Sequence, residues 1–183
     1  MVMRHAKATH KPGFADLDRP LTSRGRRDAA AAGAWLRDQG LLPGLVFCSP
    51  SCRTRQTWDQ LAPALAMPPG TDPPTRPTAG PAAGPADGPP AGPGAEVWYD
   101  TRLYHADAGD LRDIVAETPA EVTTLLVVGH NPTVQELAST LTGLPDLAFP
   151  TSAIAAIEVA DWARLDPGAG TALASWIPRE AET

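Results

Sequence analysis

Two arginines and two histidines in the sequence follow segments that read as β-strands. Arg4 and His5 come directly after the first short apolar run. Arg53 lies five residues beyond a second apolar run, and His130 follows a third that is strongly apolar. In an open parallel sheet the carboxyl ends of the strands face one crevice. We therefore expect these four side chains to converge there.

The side chains suit chemistry on a phosphate group. Arginine presents a fixed fork of donors that matches phosphate oxygens, so Arg4 and Arg53 would form a local phosphate clamp. A histidine attacks phosphorus through an unprotonated ring nitrogen, and nearby cations favour that neutral form. His5 is therefore predicted to be a nucleophile that becomes phosphorylated. His130 would hydrogen-bond the phosphoryl oxygens in the transition state.

No metal ion and no cofactor are expected, because the arginines already supply positive charge. A less favoured alternative makes the histidines metal ligands together with Asp16 or Asp18.

Four motifs occur in a characteristic order along the chain. They are Arg4-His5-Ala6-Lys7, Asp18-Arg19-Pro20-Leu21-Thr22-x-x-Gly25, Ser49-Pro50-x-x-Arg53-x-x-Gln56-Thr57 and Gly129-His130-Asn131-Pro132. Their order and spacing resemble the histidine phosphatase (phosphoglycerate-mutase-like) superfamily, and specifically its short, SixA-type phosphohistidine phosphatase branch. The resemblance implies that His5 is the phosphorylated nucleophile and that Arg4, Arg53 and His130 form the phosphate pocket. Asn131 is implied as a further pocket residue that orients His130.

One position departs from the larger members of that family, which place a glutamate proton donor in a Leu-x-Glu pattern. This sequence reads Leu103-Tyr104-His105 there. Either His105 or Asp107 donates the proton, or the chain has no dedicated acid. The last case suits a phosphoramidate P–N bond, which needs less help to break than a phosphomonoester.

We therefore expect a metal-independent phosphatase that acts on phosphohistidine in a protein, such as a histidine-containing phosphotransfer domain. Two alternatives stay open. One is a phosphatase of the same superfamily that acts on small phosphomonoesters, and the other is a non-catalytic module that binds phosphoproteins.

The segments around the motifs alternate between strand-like and helix-like patterns. This alternation predicts an α/β fold, a three-layer sandwich with a mostly parallel central sheet and helices on both faces. The predicted helices cover 23–39, 49–65, 109–117 and 132–142. The predicted strands cover 1–3, 45–48, 96–99, 122–128, 153–160 and 171–177.

Composition excludes several classes of protein. With a net charge of −6 and a pI of about 5.1, the chain lacks the overall basic field that binds nucleic acid or anionic lipid. No apolar stretch approaches the roughly 18 residues of a membrane span. The two cysteines, Cys48 and Cys52, read as reduced thiols. We expect a cytoplasmic protein with neither nucleic-acid nor membrane partners.

A segment of unusual composition interrupts the pattern between the second helix and the third strand. Residues 67–95 contain 10 of the 21 prolines and 6 of the 16 glycines, without apolar periodicity. Such a segment reads as an extended or disordered surface loop. We therefore predict one histidine-phosphatase domain over 1–183, interrupted by a Pro/Gly/Ala-rich loop at 67–95.

Overall fold

One six-stranded sheet forms the centre of the protein, whose computed structural model describes residues 1–65, 94–145 and 147–179. The strands are β1 (Val2–Arg4), β2 (Leu45–Cys48), β3 (Glu96–Tyr99), β4 (Leu125–Gly129), β5 (Ile154–Val159) and β6 (Gly170–Trp176). They lie in the order β3-β2-β4-β1-β5-β6. The first four of these are mutually parallel, and β5 and β6 complete one edge as antiparallel strands. The prediction of a mostly parallel sheet is confirmed.

Four helices cover the two faces of the sheet. They are α1 (Ser23–Asp38), α2 (Cys52–Ala64), α3 (Ala108–Ala116) and α4 (Thr133–Thr142), and two short 3-10 helices cover Asp16–Asp18 and Thr101–Tyr104. Because side chains alternate along a strand, β2 contributes side chains to both faces of the sheet. Val46 packs in a core with Leu61 of α2, whereas Phe47 packs in a second core with Leu137 of α4. Two cores on opposite faces confirm the three-layer sandwich.

The carboxyl ends of β1, β2 and β4 lie level with one another. The register pairs Arg4 with Gly129, and the amide of His5 then donates to the carbonyl of Gly129 at 3.0 Å. Ser49 extends the pairing of β2 with β4 in the same way, because its amide donates to the carbonyl of Val128 at 3.1 Å. His5, Ser49 and His130 therefore leave the sheet together at one edge.

Helix α2 begins at Cys52, and the prediction that it starts at Ser49-Pro50 is wrong. Ser51 is the N-cap, because its hydroxyl accepts from the amide of Thr54. The Ser-Pro-Ser stretch offers two serines that could cap a helix, and the side chain of the first bonds elsewhere in the fold. The later start places Arg53 in the first turn of α2.

Strand β4 begins at Leu125, three residues later than predicted. The amide of Val122 donates to the carbonyl of Pro119 at 3.0 Å, so this stretch turns before it joins the sheet. The remaining elements lie within one residue of the predicted bounds at each end.

Residues 67–93 of the predicted Pro/Gly/Ala-rich loop lie outside the described residues, and Gly94 and Ala95 directly precede β3. The assignment of that segment as a loop stays a prediction. None of the helices in the described ranges is long and apolar enough to cross a membrane.

Candidate active site

The four predicted side chains meet in one pocket at the carboxyl edge of the parallel strands. The rings of His5 and His130 have centroids 5.2 Å apart. Nη2 of Arg53 lies 3.4 Å from Nδ1 of His130. Arg4 donates from Nη1 to the carbonyl of Phe149 at 3.0 Å, and its charge contributes to lowering the pKa of His5.

His5 is held in one tautomer by the main chain. Its Nδ1 lies 2.8 Å from the carbonyl oxygen of Ala6, and a carbonyl only accepts hydrogen bonds. We therefore assign the ring hydrogen to Nδ1, which leaves a lone pair on Nε2. Burial, aided by the charges of Arg53 and Arg4, lowers the pKa of His5 to about 4. At neutral pH the ring is uncharged, as a nucleophile requires.

His130 has a different partner. Its Nε2 lies 2.8 Å from the hydroxyl of Ser49, a side chain that is fully buried. Burial, with further contributions from His5 and Arg53, lowers the pKa of His130 to about 3. A hydroxyl both donates and accepts, so Ser49 supports either neutral tautomer. In this structure Nδ1 accepts from Arg53, because a guanidinium only donates. When a phosphoryl oxygen takes the donors of Arg53, Ser49 allows the ring hydrogen to move to Nδ1, which then donates to that oxygen.

Arg53 is oriented by Asp16, which lies in the first 3-10 helix. Arg53 donates from Nη1 to the main-chain oxygen of Asp16 and from Nη2 to its carboxylate at 3.0 Å. The same carboxylate accepts from Arg19 at 2.8 Å and from the hydroxyl of Tyr104 at 2.5 Å. The hydrogen bond from Tyr104, with the charges of Arg53 and Arg19, lowers the pKa of Asp16 to about 2. Asp16 is therefore a carboxylate at physiological pH.

Sequence reasoning did not place Asp16, Ser49 or Tyr104 in this pocket. Asp16 was considered only as a metal ligand in the alternative assignment. Within the described ranges, no group of three or more His, Cys, Asp or Glu side chains is arranged to hold a metal ion. The available signals were the spacing of Asp16 and Arg19 by three residues and the place of Ser49 directly after β2.

Asn131 fastens the loop after β4 to the segment that precedes β5. Its amide nitrogen donates to Oε1 of Gln135 at 2.8 Å and to the carbonyl of Phe149 at 3.1 Å. Arg4 donates to this same carbonyl. Asn131 thus supports the wall of the pocket through the main chain at Phe149, and these hydrogen bonds do not involve the ring of His130.

The two candidate proton donors lie at the rim. His105 is exposed and packs edge-on against Tyr104, with centroids 4.5 Å apart, and Tyr104 in turn lies 5.6 Å from His130. Asp107 is the N-cap of α3, where its side chain accepts from the amide of Asp110 at 2.9 Å. The Asp107 side chain is thus used to cap α3. His105 contacts the pocket only indirectly, by packing on Tyr104.

The pocket contains buried donors that no described residue satisfies. Nε of Arg4 and Nε of Arg53 are both buried without a hydrogen-bond partner in the described part of the chain. A buried donor without an acceptor costs free energy. Six other buried side-chain atoms of the described residues also lack a partner, so it is the place of Arg4 and Arg53 beside His5 that distinguishes these two. These two donors, on arginines beside an unprotonated histidine, fit the oxygens of a bound oxyanion.

Comparisons with known proteins agree with this chemistry. The sequence model of the histidine phosphatase superfamily (branch 1) matches residues 1–76. An uncharacterised protein of Mycobacterium tuberculosis is 37% identical over 188 residues, which cover 97% of this chain and 100% of the relative. An uncharacterised protein of Mycobacterium leprae is 34% identical over 191 residues, with the same coverage.

Solved structures of SixA proteins match over nearly the whole chain. SixA from Nakamurella multipartitia is 27% identical with a TM-score of 0.72, and the match covers 97% of this chain and 95% of that one. The protein histidine phosphatase SixA complexed with tungstate is 25% identical with a TM-score of 0.71, covering 95% and 93% of the two chains. With its motifs, fold and pocket in agreement, the chain belongs to the SixA-type branch of the histidine phosphatase superfamily and is a phosphatase.

Proposed function

We propose that this phosphatase removes the phosphoryl group from phosphohistidine on a protein, without a metal ion and through a phospho-His5 intermediate. The observation that carries the proposal is the pairing of an unprotonated Nε2 on His5 with buried arginine donors that await an acceptor. One group attacks phosphorus and the others bind the oxygens around it.

In the first step, the guanidinium groups of Arg4 and Arg53 bind the phosphoryl oxygens. Nε2 of His5 attacks phosphorus, and the bond to the leaving group breaks, with its electron pair departing on the leaving group. The product is His5 phosphorylated on Nε2. Splitting one displacement into two in this way lowers each barrier.

In the second step, water attacks the phosphorus of phospho-His5. The P–N bond breaks, its electron pair returns to Nε2, and inorganic phosphate leaves after the water has lost its proton to solvent. His130 donates from Nδ1 to a phosphoryl oxygen in both steps, which stabilises charge where it redistributes. The neutral ring serves this role, because hydrogen bonding needs only one N–H.

We favour phosphohistidine as the substrate because neither Asp16 nor Asp107 is placed to donate a proton to a leaving group. Asp16 is ionised and has no proton to give, while Asp107 caps a helix. A phosphoester would leave as an alkoxide that needs a proton, whereas phosphohistidine protonated on its other ring nitrogen leaves as a neutral imidazole and needs none. The SixA protein bound to tungstate, which matches this chain, is itself described as a protein histidine phosphatase.

A small phosphomonoester is the second candidate substrate, and the position of His105 favours it. The ring is exposed at the rim and contacts Tyr104, which borders both His130 and Asp16. A protonated His105 would serve as the acid for an alkoxide leaving group.

The test compares His5→Ala with Lys11→Ala, a control that changes an exposed residue of the following loop. Substrates are a phosphorylated histidine-containing phosphotransfer domain and, separately, p-nitrophenyl phosphate. We expect the wild type to dephosphorylate the protein and to form an acid-labile, ³²P-labelled adduct. His5→Ala should lose at least about a thousandfold in activity and form no adduct.

Activity should persist in excess EDTA. Turnover of the ester alone would contradict the phosphohistidine substrate. Binding without a labelled intermediate would contradict the covalent route.

A further inference from the structure

We propose that Asp16 is a specificity-determining residue that selects leaving groups carrying a positive charge or an N–H donor, as protonated phosphohistidine does. The substrate class, though not the preference itself, rests on the proposed function. The observations that carry the inference are the position of the carboxylate, its charge and the absence of a proton on it.

The position of Asp16 is fixed by Arg53. The Asp16 carboxylate lies 3.0 Å from Nη2 of Arg53, the arginine that binds the phosphoryl group. The Asp16 side chain is 56% exposed, whereas that of Arg53 is 7% exposed. The carboxylate therefore lies on the solvent side of the phosphate-binding guanidinium. A leaving group attached to the bound phosphorus must extend toward solvent, and in this proposal it lies beside the carboxylate.

The charged and titratable groups that face Asp16 keep it ionised. Arg19 and Arg53 are cations beside it, and Tyr104 donates its hydroxyl hydrogen to it. An ionised carboxylate is an acceptor only. It attracts a cation or an N–H group, and it repels an ester oxygen, which brings only lone pairs.

This preference matches the electron balance of P–N cleavage. When the ring nitrogen not bonded to phosphorus is protonated, the imidazole of phosphohistidine is a cation. As the P–N bond breaks, its electron pair stays on the ring and neutralises that charge, so no proton has to arrive. Asp16 accepts the ring N–H before and after cleavage. An alkoxide leaving group needs a proton that Asp16 does not have.

A merely structural Asp16 would behave differently. If its role were only to orient Arg53, a substitution would weaken the binding of every phosphoryl compound to the same degree. If Asp16 instead favours a cationic leaving group, its substitution changes the ratio of kcat/KM values between two substrates. The ratio of kcat/KM values is therefore the measurement that separates the two roles.

The first experiment compares wild type with Asp16→Asn, which keeps the shape and removes the charge. Asp18→Asn is the matched control, because Asp18 is exposed on the same 3-10 helix. We expect Asp16→Asn to lower the ratio of kcat/KM for phosphohistidine protein over p-nitrophenyl phosphate by about tenfold or more, as loss of a charge-assisted hydrogen bond would. The control should keep the wild-type ratio. An unchanged ratio in Asp16→Asn would overturn the proposal.

A second experiment does not depend on turnover of phosphohistidine. Imidazolylmethylphosphonate, which is cationic when its ring is protonated, and neutral-ring benzylphosphonate are compared as competitive inhibitors of ester hydrolysis. Wild type should bind the imidazolyl compound more tightly, and Asp16→Asn should lose that preference. Equal affinities in the wild type would overturn the role of Asp16. A wild-type preference in an enzyme that leaves phosphohistidine protein intact would refute the proposed function and support the role of Asp16.

Discussion

The two histidines of the pocket have identical rings and are held for different tasks. Nδ1 of His5 faces the carbonyl of Ala6, which accepts hydrogen bonds and never donates them, so the tautomer is fixed. Nε2 of His130 faces the hydroxyl of Ser49, which does both. His5 thus keeps a lone pair ready for phosphorus. His130 remains able to place its hydrogen on the nitrogen that a phosphoryl oxygen approaches.

The depressed pKa of His5 predicts an unusual pH dependence. An ordinary histidine is protonated below about pH 6.5, but the pKa of His5 is about 4. Above this lowered pKa essentially all His5 is in the neutral, nucleophilic form, and this form is lost as the pH falls through about 4. Since kcat/KM reports ionisations of the free enzyme, we expect its acidic limb near pH 4 once substrate ionisation has been corrected for. An acidic limb near pH 6.5 after that correction would contradict the lowered pKa of His5.

At the scale of single residues, the sequence indicated the groups that we propose do the chemistry more readily than the groups that hold them. Arg4 ends β1, His5 and His130 directly follow β1 and β4, and Arg53 lies in the first turn of the helix after β2, so each is close to the carboxyl end of a strand. Asp16 lies in a polar segment with several other charged residues, and nothing local indicates which of them contacts Arg53. Its role depends on contacts with Arg53 and Tyr104, which lie 37 and 88 residues away.

Among the elements, α1 and α2 pack against each other at a very short distance. The two helices approach so closely at Gly33 that an added Cβ would lie 2.4 Å from the main-chain oxygen of Leu61. Such an approach is possible only without a side chain on α1. The same helix that carries Leu61 carries Arg53 in its first turn.

We therefore expect Gly33→Ala to lower the free energy of unfolding by about 1–3 kcal/mol, although alanine has the higher helix propensity. The obstructing atom belongs to the backbone of α2, which cannot move aside as a flexible side chain can. Urea denaturation measures the effect. Gly44→Ala is the control, because its Cβ would lie at an ordinary van der Waals distance of 3.8 Å from the main-chain oxygen of Thr124. Equal stability of both variants would show that the crossing is looser than described.

Sequence patterns predicted the elements well where the pattern is local. The buried strand β2 is a continuous apolar run, and its bounds are confirmed. The start of α2 was missed because Ser49 and Ser51 look alike as caps. The choice between them is made by His130, 81 residues from Ser49, to which its hydroxyl bonds.

In the whole molecule, the pocket lies at the carboxyl ends of the parallel strands. The connection between α2 and β3 covers the sequence between Leu65 and Gly94. The described residues that line the pocket come from the carboxyl ends of β1, β2 and β4, the first turn of α2, the two 3-10 helices and the segment that precedes β5. The antiparallel pairing of β5 with β1 and with β6 does not follow from the sequence, since apolar patterning gives the period of a strand and not its direction.

We predict that replacing residues 68–93 by a short Gly-Ser linker leaves fold and phosphatase activity intact. The cost of closing a loop changes by only about 0.6 kcal/mol for each doubling of its length. Thermal denaturation and kcat/KM of the shortened chain are the measurements. Loss of either stability or activity would mean that the segment packs on the domain.

The pocket is assembled from parts of the chain that lie far apart in sequence. Arg4 bonds to the carbonyl of Phe149 across 145 residues, and Ser49 bonds to His130 across 81. No unfolded chain can gather these groups, so an oxyanion binds the folded state alone. By thermodynamic linkage the bound ion then adds about 1.4 kcal/mol to stability for each tenfold rise in its concentration above Kd. The phosphate that the enzyme releases is thus also a ligand that protects it from unfolding.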